Sequence, residues 1–289
     1  MSAVSTRRHP PAQSGAWEAE DVRVLAPEIL AGKRAIVTGA GTGIGRGVTQ
    51  RLVELGAHVL GIGRREEKLA ATAEAMEQLP GTFEWASVDV RDAEAAREIV
   101  RTFAQPGLDL LVNNAGGQFY APLENISDNG FRSVVDLNLN AVFTLTSAAR
   151  QGLSQRGGSI VNISLTGVDR GGAGMGHSLA ARAGVLALTR TIALEWAHLG
   201  IRANCLGPGA VFTEEVPAEA TEHMRDQIVP EAVPVGRGTP VEDIAETIAF
   251  LTTPAGRTIT GQLLQVDGGA HIGAGLHMLP DWPPTQEDS

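Results

Sequence analysis

The stretch from Ala35 to Gly45 decides the fold of this chain, and it reads Ala-Ile-Val-Thr-Gly-Ala-Gly-Thr-Gly-Ile-Gly. Its first residues are apolar and partly β-branched, which predicts a buried β-strand. Four glycines at every second position follow, and apolar residues then recur at helical spacing from Val48 to Leu55. The pattern predicts a strand, a tight turn and an amphipathic helix in direct succession.

The glycine turn indicates a binding site for a phosphate-bearing ligand. Glycine lets the chain bend sharply while its backbone approaches a bulky anion. The following helix points its free N–H groups and the positive end of its dipole at the same place. A pyrophosphate fits these features, with Gly39, Gly43 and Ile44 around it and Thr42 as a further phosphate contact. The alternative is an ordinary turn between a strand and a helix.

The composition limits the class of protein. The 289 residues are 43% hydrophobic and only 4% aromatic and include 35 glycines, which favours one α/β domain with many tight turns. The formal net charge is −10 with both signs interspersed, which argues against a nucleic-acid-binding surface. Because no run of 18 apolar residues is present, we expect no membrane span.

The cysteine and histidine content bears on compartment and metals. The single cysteine, Cys205, excludes an internal disulfide and suits a reducing compartment. The His, Asp and Glu residues show no spacing typical of metal ligands. We therefore expect a cytoplasmic protein without a metal.

The chain divides into three predicted parts. Residues 1–24 are rich in Pro, Ser, Ala and Arg without a period and are predicted to form a flexible arm. Residues 25–270 are predicted to form the one domain, and residues 271–289 a tail. Within the domain, residues 214–239 have a weak period and three prolines, which is typical of a lid over a substrate.

Strand and helix patterns alternate along the domain. Strand patterns at 58–62, 83–88 and 108–112 follow the first strand, and helical patterns separate them. This alternation predicts an α/β fold with a single doubly wound parallel sheet and helices on both faces. Ligands of such sheets lie beyond the carboxyl ends of the strands. Three later strand patterns, at 159–164, 202–206 and 259–269, raise the expected number of strands to seven.

The end of the second predicted strand bears on the choice of coenzyme. In dinucleotide-binding folds an acidic residue there binds the ribose hydroxyl groups, whereas an arginine accommodates a 2′-phosphate. Arg64 and Arg65 occupy this place. NADP(H) is therefore favoured over NAD(H), with Arg64 as the predicted phosphate ligand. For Arg65 a plain surface position is an equal alternative.

Three motifs resemble those of the short-chain dehydrogenase/reductase family. Residues Thr38–Gly45 resemble its nucleotide-binding turn, T-G-x-x-x-G-I-G. Asn113–Gly116 resembles its N-N-A-G motif after the fourth strand, and Pro208–Thr213 its P-G-x-x-x-T loop. The resemblance covers roughly residues 30–270 and implies a Rossmann fold that binds a nicotinamide coenzyme. It places coenzyme contacts, beyond the turn itself, at Asp89, Val90, Asn114, Ala115, Gly116, Arg182, Pro208, Gly209, Val211 and Thr213.

The residues that carry the family's chemistry are largely replaced. In the family a tyrosine, four residues before a lysine, protonates the alkoxide that forms from the substrate. A serine thirteen residues before that tyrosine polarises the carbonyl group. An asparagine earlier in the chain holds a water relay. Alignment on Ala183-Gly184-Val185 places Arg182 at the lysine, Ser178 at the tyrosine and Leu165 at the serine. The asparagine is kept as Asn138.

Neighbouring residues offer partial replacements. Ser164 adjoins the serine position, but alternation along a strand points it to the opposite face. Tyr120 is the only tyrosine and is predicted to line the mouth of the cleft. His177 could relay a proton, although a histidine at the start of a helix more often caps or packs.

These replacements favour one class of reaction. Reduction of a ketone creates a localised alkoxide that needs a positioned acid, which neither Ser178 nor Arg182 supplies near neutral pH. Addition of hydride to an enoyl thioester instead spreads charge over an enolate, whose oxygen needs fixed hydrogen-bond donors. Asn138, Ser178 and Arg182 are all donors, and the last two project from one helical face.

A closer resemblance agrees with this chemistry. His177–Val185, Gly116–Phe119, Thr191–Trp196 and Asp281–Pro283 look like the peroxisomal trans-2-enoyl-CoA reductase branch and its bacterial relatives. The related dienoyl-CoA reductases also lack the standard tyrosine. Two departures are Leu186, where the mammalian branch has a tyrosine, and a carboxyl end without a peroxisomal address.

Three functions remain open at this point. The leading hypothesis is NADPH-dependent reduction of the double bond of a trans-2-enoyl-CoA or a similar thioester, with Asn138, Ser178 and Arg182 as the catalytic residues. The second is alcohol or aldehyde oxidoreduction on a branched terpenoid alcohol such as citronellol. The third is a sensor that binds NADPH without catalysis. The resemblance also implies a homotetramer.

Overall fold

The computed structural model describes residues 23–216 and 218–272. The predicted arm, apart from its last two residues, lies outside this part of the chain, as do most of the predicted tail and the stretch at 281–283. No helix of the described part is both long and apolar enough to cross a membrane. Nor do three or more His, Cys, Asp or Glu side chains of that part come together as ligands for a metal ion.

A seven-stranded parallel sheet forms the centre of the molecule, as the strand patterns predict. Its strands lie in the order β3-β2-β1-β4-β5-β6-β7, and every neighbouring pair is parallel. The order reverses between β1 and β4, which opens a crevice at the carboxyl ends of these strands. The strands are β1 Arg34–Thr38, β2 His58–Gly63, β3 Thr82–Ser87, β4 Leu110–Asn113, β5 Ser159–Ile163, β6 Arg202–Pro208 and β7 Leu263–Val266.

Helices cover both faces of the sheet. They are α1 Gly43–Glu54, α2 Glu66–Glu74, α3 Ala93–Ala104, α4 Asp128–Val135, α5 Ala141–Arg156, α6 Gly176–Glu195, α7 Ala218–His223, α8 Val229–Ala232 and α9 Val241–Thr252. Strand β1 shows how the two cores arise, because successive side chains point to opposite faces. Ala35 and Val37 pack into the core under α1 and α9, whereas Ile36 packs into the core under α3 and α5. The strand is therefore continuously apolar from Ala35 to Val37.

Two helical regions differ from the pattern. The sequence pattern predicts two separate helices, at about 127–138 and 141–154. In the structure α4 instead passes through a π-helical turn, Asp136–Asn140, and continues into α5. Such single wide turns often occur at functional sites. In the 214–239 segment, α7 and α8 flank a second π-helical turn, Met224–Ile228. The predicted strand at 259–269 is shorter, because only Leu263–Val266 pairs with β6.

A buried polar network ties the middle of the sheet to α6. The side-chain amide of Asn113 on β4 donates to Asn162 Oδ1 on β5 at 2.8 Å and to Thr146 Oγ1 at 3.0 Å. The Asn162 amide donates in turn to Thr189 Oγ1 on α6 at 2.8 Å. Asn162 and Thr189 are fully buried. The network therefore fixes how α6 lies against the sheet.

Replacing Asn162 by alanine is expected to lower the free energy of unfolding by about 2 to 4 kcal/mol. The change leaves the Asn113 amide with one acceptor fewer, removes the hydrogen bond that Asn162 donates to Thr189 Oγ1 and opens a cavity. Urea unfolding at a fixed protein concentration measures the effect. Asn125→Ala, at an exposed position, is the matched control and should change stability by less than about 0.5 kcal/mol. Equal stability of the two variants would contradict the role of the network.

Candidate active site

The glycine turn is so closely packed that no side chain fits at Gly39 or Gly45. Gly39 has a φ of +69°, and a Cβ added there would lie 2.8 Å from Asn114 Nδ2. A Cβ on Gly45 would collide with the Gly39 carbonyl. Thr38 Oγ1 accepts hydrogen bonds from the N–H groups of Asn114 and Ala115, at 3.0 and 2.9 Å. The ends of β1 and β4 are thereby held together at the crevice.

The first turn of α1 leaves polar groups for a ligand. Thr42 is the N-cap residue, yet its hydroxyl makes no capping hydrogen bond. It accepts instead from Arg65 Nη2 at 3.1 Å. The Gly43 N–H donates to Glu214 Oε1 at 3.2 Å, and Ile44 packs partly buried against the core. The predicted contacts Gly39, Thr42, Gly43 and Ile44 thus lie together in one turn.

A cavity of about 490 Å³ adjoins this turn. Arg46 and Lys68 line it, and both charges act on the carboxylate of Glu214. The volume is in the usual range for small-molecule sites. The remaining lining residues are Gly41, Gly43, Gly47, Gln50, Ala71 and Glu214. Backbone room at the glycines and two cations are what a dinucleotide with phosphate groups requires, so the residues present fit a nicotinamide coenzyme.

The two arginines after β2 differ in their surroundings. Arg65 contacts Thr42 and also pairs with Glu215, at 3.2 Å. The charge of Arg64 instead acts on Asp89. The hydrogen bond from the Arg91 side chain is the largest cause that holds the pKa of Asp89 below its ordinary value. The next residue, Val90, is buried in the core.

The loop after β6 lies opposite the glycine turn. The Gly209 N–H donates to the Val266 carbonyl at 3.1 Å, and the Pro208 carbonyl accepts from the Thr166 N–H at the same distance. Val211 packs against the core. A Cβ on Gly43 would lie 3.5 Å from Thr213 Oγ1, so Thr213 directly faces the turn. The predicted residues of this loop and of the turn therefore line one crevice.

Arg182 lies where the carboxyl ends of β4 and β5 meet. Its Nη1 donates to the Ile163 carbonyl, the last of β5. Its guanidinium also lies against Gly116, where an added Cβ would collide with it. Burial lowers the pKa of Arg182 to about 10, so the group keeps its charge near neutral pH. The lysine position of the family thus carries a permanent cation.

Ser178 lies one helical turn before Arg182 on α6 and is 1% exposed. Its hydroxyl donates to Gln118 Oε1 at 2.7 Å. Gln118 Nε2 in turn donates to the Tyr120 hydroxyl at 3.3 Å. Gln118 was not predicted as a site residue, although it belongs to the stretch from Gly116 to Phe119. The signal that could have indicated it is a polar side chain two residues after the Asn113–Gly116 motif at the end of β4.

Asn138 lies in the π-helical turn and holds the same loop from the other side. Its Oδ1 accepts from the Gly117 N–H at 3.0 Å, and its Nδ2 donates to the Gly117 carbonyl at 2.9 Å. Both ends of the amide are therefore engaged with backbone. In this arrangement Asn138 positions the loop that carries Gly116 and Gln118.

The other candidate residues lie around this centre. His177 is fully buried, stacks edge-on against Phe119 at 4.2 Å between ring centroids, and has no hydrogen-bond partner within the described residues. The buried Ser164 hydroxyl likewise has no partner in that part of the chain. Tyr120 is 71% exposed, and its hydroxyl accepts from Gln118 Nε2, the residue that also accepts from Ser178.

Known proteins resemble the chain along most of its length. Residues 39–271 match the profile of the family described as "Enoyl-(Acyl carrier protein) reductase". A "Probable 2,4-dienoyl-CoA reductase" of Bacillus subtilis (strain 168) is 38% identical over 82% of this chain and 96% of the relative. A peroxisomal 2,4-dienoyl-CoA reductase of Saccharomyces cerevisiae is 35% identical over 88% of this chain and 90% of the relative.

Solved structures agree with the fold. The citronellol catabolism dehydrogenase of Pseudomonas aeruginosa PAO1 has a TM-score of 0.75 at 36% identity and covers 86% of this chain and 98% of its own. A carveol dehydrogenase from Mycobacterium avium, in complex with NAD, has a TM-score of 0.77 at 32% identity, with coverage of 83% and 98%. Taken with the crevice and its motifs, these matches show that the chain belongs to the short-chain dehydrogenase/reductase family of nicotinamide-dependent oxidoreductases.

Proposed function

We propose that this oxidoreductase uses NADP(H) to reduce the conjugated double bond of a trans-2-enoyl-CoA or a similar thioester. One observation carries the proposal. The position four residues before Arg182 holds Ser178, which is a neutral hydrogen-bond donor and a poor acid. The dienoyl-CoA reductases among the relatives support the same substrate class.

Fixed donors suit this reaction because its charge is delocalised. The bound coenzyme would supply the hydride. Negative charge would then develop on the thioester oxygen, where the Ser178 hydroxyl could turn from Gln118 to donate and Arg182 would add a positive field. Asn138, as a positioning residue, would hold the 116–118 loop in place. The α-carbon can take its proton later, even from water, so no phenol is required.

The preference for NADP(H) rests on the cationic groups around the adenosine side of the crevice. Arg65 lies against Thr42, and Arg46 and Lys68 line the adjoining cavity. Arg64 is close enough for its charge to act on Asp89. We propose that Arg65 shares with Arg64 the binding of the 2′-phosphate, which an arginine binds in bidentate fashion.

A panel of substrates tests the proposed reaction. NADPH oxidation should be rapid with crotonyl-CoA and longer 2-enoyl-CoAs and slow with a plain ketone. Turnover of the ketone together with none of the enoyl thioesters would refute the proposal. Tight binding of NADPH without turnover of any substrate would instead favour the non-catalytic sensor.

Oxidoreduction of a branched terpenoid alcohol is the second candidate. It is favoured by the likeness to the citronellol catabolism dehydrogenase of Pseudomonas aeruginosa. Ser178 argues against this candidate. Interconversion of an alcohol and its aldehyde requires a positioned acid or base that transfers the proton of the hydroxyl oxygen, and serine is a poor acid. Reduction of NADP⁺ with citronellol, at a rate above that of enoyl-CoA reduction, would establish this candidate.

We further propose a cytoplasmic homotetramer. The family resemblance supports four subunits, with α5 and α6 as the expected interface helices. Phe143 on α5 is 55% exposed and Leu194 on α6 is 82% exposed, so each of these helices carries an apolar side chain that an interface would cover. Sedimentation velocity should give the mass of four chains, and a monomer would contradict the assembly.

The segment 214–239 would serve as the lid over the substrate.

A further inference from the structure

Two neighbouring carboxylates of the 214–239 segment bind the groups that we assign to the coenzyme phosphates. Glu214 Oε1 accepts from the Gly43 N–H at the start of α1, at 3.2 Å. Glu215 Oε2 pairs with Arg65 Nη2, also at 3.2 Å. Arg65 simultaneously contacts Thr42. One carboxylate therefore lies at the pyrophosphate place and the other at the 2′-phosphate place.

The surroundings keep Glu214 ionised. Burial by itself raises its pKa, but hydrogen bonds from its own N–H and from the Gly43 N–H, with the charges of Arg46 and Lys68, bring the pKa below its ordinary value. The same backbone donor and the same cations are what a phosphate would use. A carboxylate and a phosphate oxygen cannot both accept from one N–H at full strength, so the two must compete.

We propose that Glu214 and Glu215 act as internal phosphate mimics, which weaken coenzyme binding and speed coenzyme release. The inference rests on the proposed NADP(H) site. Each carboxylate opposes a different part of the ligand. Glu214 competes with the pyrophosphate, which NADPH and NADH share, whereas Glu215 competes with the 2′-phosphate, which NADPH alone carries. The two residues therefore have separable effects.

Glutamine variants remove the charges and keep the side-chain shape. Glu214→Gln should tighten the binding of both NADPH and NADH by about threefold to tenfold, because a partly exposed charge at this distance contributes on the order of 1 kcal/mol. Glu215→Gln should tighten NADPH by about the same factor and leave NADH within about twofold. Fluorescence titration of each reduced coenzyme gives the dissociation constants. Stopped-flow displacement should show slower NADPH release from both variants.

Glu219→Gln is the matched control, because it removes the same charge from an exposed position of the same segment. Its affinities should equal those of the wild type. Unchanged or weaker NADPH binding by both Glu214→Gln and Glu215→Gln would overturn the inference. Equal tightening by Glu219→Gln would also overturn it, since the effect would then be one of net charge.

The outcome can be separated from that of the coenzyme proposal. If wild-type protein binds NADPH and NADH equally and Arg65→Ala changes neither, the NADP(H) site itself is wrong. If NADPH is preferred and Arg65→Ala removes the preference while the glutamine variants bind as wild type does, the competition alone is wrong.

Discussion

Replacing Ser178 by alanine should lower kcat for crotonyl-CoA reduction by about a hundredfold, with little change in KM, because a single fixed donor to a developing oxyanion contributes on the order of 10² to 10³ in rate. The donor is buried, held by Gln118, and one helical turn from the Arg182 cation. Steady-state oxidation of NADPH at saturating thioester measures the loss.

The matched control is Ser133→Ala, which removes an exposed hydroxyl from α4. Its kcat should equal that of the wild type. Near-UV circular dichroism and NADPH titration should show that Ser178→Ala keeps its fold and its coenzyme. A kcat within about threefold of wild type in such a folded variant would remove Ser178 from the proposed mechanism.

Replacing Arg65 by alanine should raise the dissociation constant of NADPH by about tenfold to a hundredfold, since hydrogen bonds to a charged group contribute roughly 1.5 to 3 kcal/mol. NADH should bind within about twofold of its wild-type affinity, because it lacks the phosphate that Arg65 would hold. Titration of both coenzymes against wild-type and variant protein measures the change in preference.

Arg64→Ala is the comparison that assigns the phosphate. It removes the same charge from the adjacent residue, whose charge acts on Asp89, while Arg65 contacts Thr42. A smaller loss of NADPH affinity than for Arg65→Ala is expected. A larger loss of NADPH affinity for Arg64→Ala would instead place the 2′-phosphate at Arg64, the ligand that the sequence predicts.

The sheet and its crevice could be predicted because local patterns determine them. The apolar run before Gly39 and the helical spacing after Gly45 predict β1 and α1, and repetition of this strand–helix unit predicts that the strands of the sheet are parallel. The turn glycines were predictable for a steric reason, since a side chain at Gly39 or Gly45 would meet the neighbouring backbone or Asn114. The motifs also bring the turn and the loop after β6 together, since Thr213 faces Gly43.

Contacts between distant segments were not predictable in the same way. Gln118 and Ser178 are sixty residues apart, and Gly43 and Glu214 are 171 apart, so no local period relates them. The π-helical turn at 136–140 was not predicted, because the sequence pattern indicated a break between two helices at this place. Which of Arg64 and Arg65 binds the 2′-phosphate depends on the direction in which each side chain points after β2. Two adjacent arginines look the same in the sequence, so the sequence does not determine this direction.

Transfer of deuterium from NADPH labelled on its nicotinamide C4 tests the central claim most directly. With crotonyl-CoA as substrate, mass spectrometry and NMR of the butyryl-CoA product should place the label on the β-carbon. Retention of the label in the coenzyme with crotonyl-CoA, together with its transfer to the carbonyl carbon of a ketone or of citronellal, would contradict the account.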